Sequence, residues 1–154
     1  RDLHKAIRSA ASDVYKRQKD GTIEVISTDH APHSAEEKTG SMKNTPFGIV
    51  GLETSLPLTY TELVEKGVIT LKQMVEKMCL NPAKILGLES GTLQEGHPAD
   101  VIIVDTEQEY TIDKNKFVSK GHNTPFDGWK VKGKVLYTIC DGKIVFNNQE
   151  EKES

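Results

Sequence analysis

A β-branched run at Thr22–Thr28 limits the folds open to this chain, because a long loop and then helical patterns follow it instead of a second strand. The run has the length and composition of a largely buried strand that ends at Asp29. The next segment, His30–Phe47, contains prolines, a glycine and scattered Ser, Thr and Lys residues, which predicts a long irregular loop. In a (β/α)8 barrel, catalytic groups stand at the C-terminal ends of strands, and the last unit would contain a strand, a loop and helices. If this run is the last strand of such a barrel, Asp29 lies at the strand end that carries catalytic groups.

Helical patterns fill the middle of the chain. Apolar residues at helical spacing run from Ile49 to Val64 and stop at Gly67, and Pro57 is expected to kink or break that helix. Two shorter helices are expected after it. The first of these begins with a capping-box pair, Thr70 and Gln73. The second has Asn81 as its N-cap and Pro82 at its first helical position, and it ends at Gly87.

Short strands replace helices in the last third of the chain. Val101–Val104 has the composition of a strand. Val135–Cys140 and Lys143–Phe146 flank the dipeptide Asp141-Gly142, which is a strong signal for a two-residue hairpin turn. The sequence therefore predicts a small C-terminal β unit.

The chain is expected to comprise a leader, two structured parts and a tail. Ser9–Gln18 resembles the peptide translated from the end of a common sequencing-transposon adaptor, which predicts that residues 1–18 are a non-native leader. The alternative is a natural amphipathic helix. Residues 19–90 are expected to form the α/β part, residues 91–147 the β unit, and residues 148–154 a polar tail.

Composition excludes several classes of function. The chain has 154 residues, 36% of them hydrophobic, and no apolar run approaches the ~20 residues of a membrane helix, so a cytoplasmic protein is expected. Lys and Arg total 20 against 23 Asp and Glu, a net charge of −3 that gives no reason to expect nucleic acid or a membrane surface as partner. The two cysteines, Cys79 and Cys140, lie far apart and are expected to be reduced thiols in the core.

Candidate metal-binding and catalytic residues lie where the predicted strand ends and the loop begins. The segment Asp29-His30-Ala31-Pro32-His33 brings one carboxylate and two imidazoles together, a set of donors that suits zinc. A carboxylate ligand can also take a proton from metal-bound water, whose pKa the metal lowers toward ~7. The alternative is an Asx turn at Asp29 with two surface histidines beside it.

A second candidate contact is Gly48, near the start of the predicted helix. Glycine lets a ligand approach the backbone closely, and the Gly48 N–H could meet an anion there. The alternative is a plain joint between loop and helix.

Motifs from Lys19 to about Phe146 form a set: Thr28-Asp29-His30-Ala31-Pro32-His33, Pro46-Phe47-Gly48 with Gly51-Leu52-Glu53-Thr54, Asn81-Pro82-Ala83-Lys84-Ile85-Leu86-Gly87-Leu88, Gly96 with Ala99-Asp100-Val101, and Asn123-Thr124-Pro125-Phe126. By these motifs the chain resembles the C-terminal part of the bacterial dihydroorotases, in the amidohydrolase superfamily. The Gly-x-x-Ala-Asp-Val pattern is common across amidohydrolases, whereas Asp-His-Ala-Pro-His is more particular to dihydroorotases.

The resemblance implies an α/β fold that contains the last strand and helices of a (β/α)8 TIM barrel and part of a small accessory β domain. It implies that Asp29 contacts a zinc centre and acts as the general acid/base, and that His33 and the backbone at Phe47 and Gly48 contact the substrate. The implied reaction is the reversible, zinc-dependent hydrolysis of the cyclic amide of dihydroorotate to N-carbamoyl-L-aspartate in pyrimidine biosynthesis. The resemblance leaves open a homodimer and an association with an aspartate carbamoyltransferase.

The chain departs from that family in its length and its metal ligands. A whole barrel needs ~250 residues, and the family's His-x-His motif is absent from this sequence. The chain alone is therefore expected to be inactive. Two alternatives remain open, namely another cyclic amidase similar to hydantoinases or allantoinases, and a noncatalytic dihydroorotase-like assembly subunit. The presence of Asp29 and His33 counts against the second alternative.

Overall fold

The computed structural model describes residues 13–41 and 43–148, and it combines α-helices with two small antiparallel sheets. A first helix, α1, covers residues 13–19. Most of the predicted leader and nearly all of the predicted tail lie outside the described residues. Within the described part of the chain, no helix is long and apolar enough to cross a membrane.

The first predicted helix begins later than its apolar pattern suggested. Helix α2 covers Ser55–Thr59 and continues as a π-helical turn, Tyr60–Val64. Pro57 lies in the first turn, where the missing N–H would have no helical partner, so it neither kinks nor breaks the helix. Ile49 instead forms an isolated parallel bridge with His30.

The other two predicted helices form one continuous helical run. Helix α3 (Leu71–Val75) passes through a π-helical turn (Glu76–Leu80) into helix α4 (Asn81–Leu86). The capping box at the start of α3 is confirmed, and so is the left-handed end at Gly87, where φ is 66°. The prediction that Asn81 caps a separate helix is wrong, because Leu80 and Asn81 both have helical dihedrals.

The predicted strand at Thr22–Thr28 does not form. Residues 24–29 have no regular secondary structure, because no other strand of the described chain pairs with them. Some of their backbone groups form hydrogen bonds with the helical run instead. Ile26 N–H donates to the Lys77 carbonyl at 3.1 Å, and the Asn81 side-chain amide donates to the Glu24 carbonyl at 2.8 Å.

The C-terminal strands are confirmed. A three-stranded antiparallel sheet has the order β1 (Val101–Asp105), β4 (Lys134–Cys140), β5 (Lys143–Asn147), and a small ribbon pairs β2 (Tyr110–Thr111) with β3 (Lys130–Val131). The hairpin between β4 and β5 turns at the predicted dipeptide, where Asp141 has φ 48° and Gly142 has φ 73°. Both residues therefore adopt the left-handed conformation of a type I′ turn.

The most buried apolar side chains come from both parts of the chain: Val50, Ile69, Met74, Ala83, Ile112 and Val131. Polar contacts also join the two parts. Lys132 N–H donates to Thr61 Oγ1 at 2.9 Å, and Lys132 pairs with Glu65 at 2.8 Å. The prediction that both cysteines are core thiols is wrong, since Cys79 lies on an outward face of the helical run and Cys140 ends β4 beside the hairpin turn, and both are exposed.

Candidate active site

Asp29 ends the irregular segment in a left-handed conformation, with φ 45°. This conformation is uncommon for residues other than glycine but is tolerated by aspartate. The side chain is exposed, and its carboxylate has no hydrogen bond or ion pair with any residue that the structure describes. The alternative Asx turn is therefore not formed, and the carboxylate is available for chemistry.

The His30 side chain binds the backbone of the residues that precede α2. Its Nδ1 accepts hydrogen bonds from the N–H groups of Gly51 at 3.0 Å and Leu52 at 3.4 Å. A neutral imidazole that accepts at Nδ1 carries its hydrogen on Nε2 and has no lone pair left there for a metal. The backbone of Ala31 then donates to the Ile49 carbonyl at 2.9 Å. These bonds hold the segment after Asp29 against the residues that precede α2.

His33 and Phe47, which were both predicted as substrate contacts, lie against each other. His33 Nε2 is 2.9 Å from the Phe47 carbonyl oxygen, and because a carbonyl only accepts, this nitrogen carries the hydrogen. Nδ1 of the same ring lies 3.4 Å from a carboxylate oxygen of Glu37. The Ser34 backbone N–H and then His33 lower the pKa of Glu37, so that carboxylate is charged beside the ring.

Gly48 also belongs to this cluster, with φ 113°, a value that favours glycine. Its carbonyl accepts from Lys38 Nζ at 2.7 Å and from the Asn123 side-chain amide at 3.1 Å. Within the described chain, no acceptor is bonded to the N–H groups of Phe47 and Gly48. The expectation that Gly48 lies near a helix start is wrong, since α2 begins at Ser55.

Sequence reasoning assigned no site role to Lys38 or Asn123. Lys38 donates to the carbonyls of Pro46, at 2.6 Å, and Gly48, and so fixes the turn of the loop. Asn123, 75 residues after Gly48, also binds the Gly48 carbonyl, and its side-chain amide donates to the Ala31 carbonyl at 2.9 Å. The only signal for Asn123 was its place in the Asn-Thr-Pro-Phe motif.

The described residues do not form a metal site on their own. Among residues 13–41 and 43–148, no group of three or more His, Cys, Asp or Glu side chains is placed to hold a metal ion. A catalytic zinc site needs about three protein ligands, and His30 already uses Nδ1 to accept backbone N–H groups. Asp29 could supply one ligand of such a site.

Comparison with known proteins points to one family. The sequence model of the Amidohydrolase family matches residues 3–145. Among curated proteins, a dihydroorotase of Bacillus cytotoxicus is 53% identical over 130 residues, and one of Bacillus cereus is 54% identical over the same length. Each match covers 84% of this chain and 30% of the relative, so the chain spans less than a third of the length of these relatives.

A solved structure supports the same relationship. The L-hydantoinase (dihydropyrimidinase) of Arthrobacter aurescens superposes with a TM-score of 0.82 and 36% identity, covering 87% of this chain and 31% of that one. A D-hydantoinase (dihydropyrimidinase) from a Thermus species superposes with the same TM-score at 25% identity, covering 89% of this chain and 31% of that one. Since the family model matches nearly the whole sequence, the chain belongs to the amidohydrolase family.

Proposed function

We propose that this chain is the C-terminal part of a zinc-dependent dihydroorotase, which reversibly hydrolyses the cyclic amide of dihydroorotate to N-carbamoyl-L-aspartate in de novo pyrimidine biosynthesis. The identity of 53% to 54% with dihydroorotases supports this activity. The observation that carries the proposal is the Asp29 carboxylate, which is exposed and has no partner among the described residues, four positions before a His33 ring that holds the Phe47 backbone.

In this proposal, residues 19–90 supply the last strand and helices of a (β/α)8 barrel, and residues 91–147 supply part of an accessory β domain. Residues 24–29 pair with no strand of the described chain, which supports that assignment. A barrel strand pairs on both sides, and here its neighbours would come from residues outside this chain.

Asp29 is proposed as the general acid/base. Its carboxylate takes a proton from the attacking water and returns it to the ring nitrogen as the C–N bond breaks, which leaves the free carboxyl group and the carbamoyl nitrogen of the product. An exposed carboxylate suits this role, because among the described residues it has no hydrogen bond to lose when it accepts a proton.

His33, Phe47 and Gly48 are proposed to bind the substrate. Dihydroorotate carries a carboxylate, and the N–H groups of Phe47 and Gly48, which have no acceptor among the described residues, are suitable donors to an anion. The His33 ring fixes the backbone that bears them. Asp29 is also proposed as a zinc ligand, and the remaining ligands would lie outside the described residues.

A second candidate function is a hydantoinase-like cyclic amidase, which the structural similarity to the L-hydantoinase favours. The higher identity to the dihydroorotases favours the first proposal. A noncatalytic assembly subunit is the third outcome. In each case we propose a cytoplasmic protein. Measuring the size of the protein in solution tests whether it forms a homodimer. Repeating the measurement with an aspartate carbamoyltransferase present tests whether the two proteins associate.

The test uses the complete protein, meaning the product of the gene that encodes this chain together with any residues before it. We expect the purified, zinc-supplemented protein to hydrolyse dihydroorotate with a higher kcat/KM than hydantoin or dihydrouracil. A preference for hydantoin would establish the second candidate, and no turnover of any ring would favour the assembly subunit. The 154-residue chain alone should be inactive, and turnover by it would contradict the assignment as a part of the enzyme.

A further inference from the structure

One side chain from the C-terminal part joins two backbone segments of the candidate site through three backbone groups. The side-chain amide of Asn123 donates to the carbonyls of Ala31 at 2.9 Å and Gly48 at 3.1 Å. Its Oδ1 accepts from the backbone N–H of His33 at 2.9 Å. The Asn123 backbone carbonyl accepts from the Val50 N–H at 3.1 Å. Both amide hydrogens and the amide oxygen are therefore used in holding the site.

The loop that carries Asn123 is itself fixed. The carboxylate of Glu53 accepts from the N–H groups of Val118 at 3.0 Å and Ser119 at 3.1 Å. Gly121 is buried so closely against Pro32 that a Cβ on it would lie 2.7 Å from the proline Cβ. Asn123 thus lies on a loop that is anchored at Glu53 and Pro32, and it can hold other groups in place.

Asn123 lies much farther along the chain from His33 than the other side chains that hold the site. Glu37 and Lys38 belong to the same irregular loop as His33. Asn123 lies 90 residues away from His33 along the chain, and it connects the backbone before Phe47 with the backbone after it. It therefore fixes the separation between His33 and the N–H groups at Phe47 and Gly48.

We infer that Asn123 is a positioning residue that sets the substrate contacts of His33, Phe47 and Gly48. The inference rests on the proposed function, because it assigns those three residues to substrate binding. Asn123 does not touch the reacting atoms in this assignment, so it acts on substrate affinity more than on proton transfer.

The test substitutes Asn123→Ala in the complete protein. We expect KM for dihydroorotate to rise about tenfold, while kcat falls by less than about threefold, the pattern of a lost binding geometry. Asn81→Ala is the matched control, because it removes another amide-to-backbone bond, to the Glu24 carbonyl at 2.8 Å, away from these contacts. Both variants should lower Tm, but only Asn123→Ala should raise KM.

A double-mutant cycle with His33→Ala distinguishes positioning from general destabilisation. If Asn123 acts through His33 and the Phe47–Gly48 backbone, adding Asn123→Ala to His33→Ala should raise KM by less than about twofold further. Multiplicative effects on KM, or an unchanged KM in an active Asn123→Ala variant, would overturn the inference.

Amide hydrogen exchange provides a readout that does not depend on turnover. A peptide spanning residues 31–50 should lose protection in Asn123→Ala and keep it in Asn81→Ala, and equal exchange in both would overturn the inference. If Asn123→Ala does not fold, Asn123→Asp keeps the acceptor for the His33 N–H and loses both donors. It should show the same KM increase. An inactive parent protein, in contrast, would count against the proposed function.

Discussion

The methyl group of Ala31 occupies the space that a side chain at residue 48 would need. A Cβ on Gly48 would lie 2.4 Å from the Ala31 Cβ, a separation at which one of the two segments has to move. Gly48 also has φ 113°, which side-chain-bearing residues rarely adopt. The close approach of these two backbones brings the Phe47–Gly48 N–H groups beside the segment that contains His33.

Gly48→Ala should destabilise the complete protein more than Gly67→Ala does. Gly67 also has a positive φ, 67°, but its Cβ would meet nothing within 4 Å, so its substitution should cost about 1 kcal/mol from backbone strain alone. Gly48→Ala adds the clash with Ala31, and roughly 1–3 kcal/mol more is expected. Urea denaturation of both variants checks the difference, and adding Ala31→Gly should recover part of the Gly48 loss. Equal losses at the two glycines would contradict the packing described here.

With Asp29 as the proposed general base, Asp29→Asn in the complete protein should reduce kcat for dihydroorotate by roughly 10²–10⁴-fold, because the amide cannot accept the proton. The fold should be retained, since asparagine also tolerates the left-handed φ of 45°. Asp141→Asn, in the hairpin turn between β4 and β5, is the matched control at φ 48° and should leave kcat unchanged. Steady-state kinetics with zinc content measured in parallel checks both. Near-wild-type kcat in Asp29→Asn would remove Asp29 from the mechanism.

His33→Ala should raise KM at least as much as it lowers kcat. The substitution removes the donor to the Phe47 carbonyl and so frees the backbone proposed to bind the substrate. His97→Ala, at an exposed histidine in a turn, is the control and should change neither constant. A large kcat loss at constant KM would instead place His33 in proton transfer.

Asp100→Asn should accelerate the alkylation of Cys140 by iodoacetamide. The negative charge of Asp100 raises the pKa of the Cys140 thiol, so removing that charge lowers the pKa and increases the thiolate fraction at pH 8. Asparagine can still accept the Asp141 N–H that Asp100 accepts at 2.8 Å, which preserves the turn. Partial burial raises the pKa of Cys79, so its rate should stay constant and serves as an internal control. Mass spectrometry of the labelled peptides checks both rates.

Features that depend on neighbouring residues could be predicted from the sequence. The capping box of Thr70 and Gln73 satisfies backbone groups within one helical turn, and the Asp141-Gly142 turn needs only two residues with positive φ. Both are encoded locally, and both are confirmed.

Features that depend on distant partners could not be predicted. The run at Thr22–Thr28 has the composition of a strand, but a strand forms only when another pairs with it. The predicted site residues His33, Phe47 and Gly48 are brought together, but no local pattern indicates that Asn123 reaches them. Likewise, Cys79 and Cys140 were expected in the core because cysteine is an apolar residue type, but both are exposed.

The contacts of Asn123 also determine when the site can form during synthesis. Asn123 is 90 residues from His33, 92 from Ala31 and 75 from Gly48, so closing these contacts requires ordering long stretches of chain. A nascent chain that has emerged only as far as α4 contains Asp29, His33 and the Lys38 contact to Gly48 but lacks Asn123, the second side chain that binds the Gly48 carbonyl. The site therefore becomes complete only after residue 123 has been synthesised, and a ribosome that stops before it releases a product with Asp29 and His33 but without the Asn123 contacts.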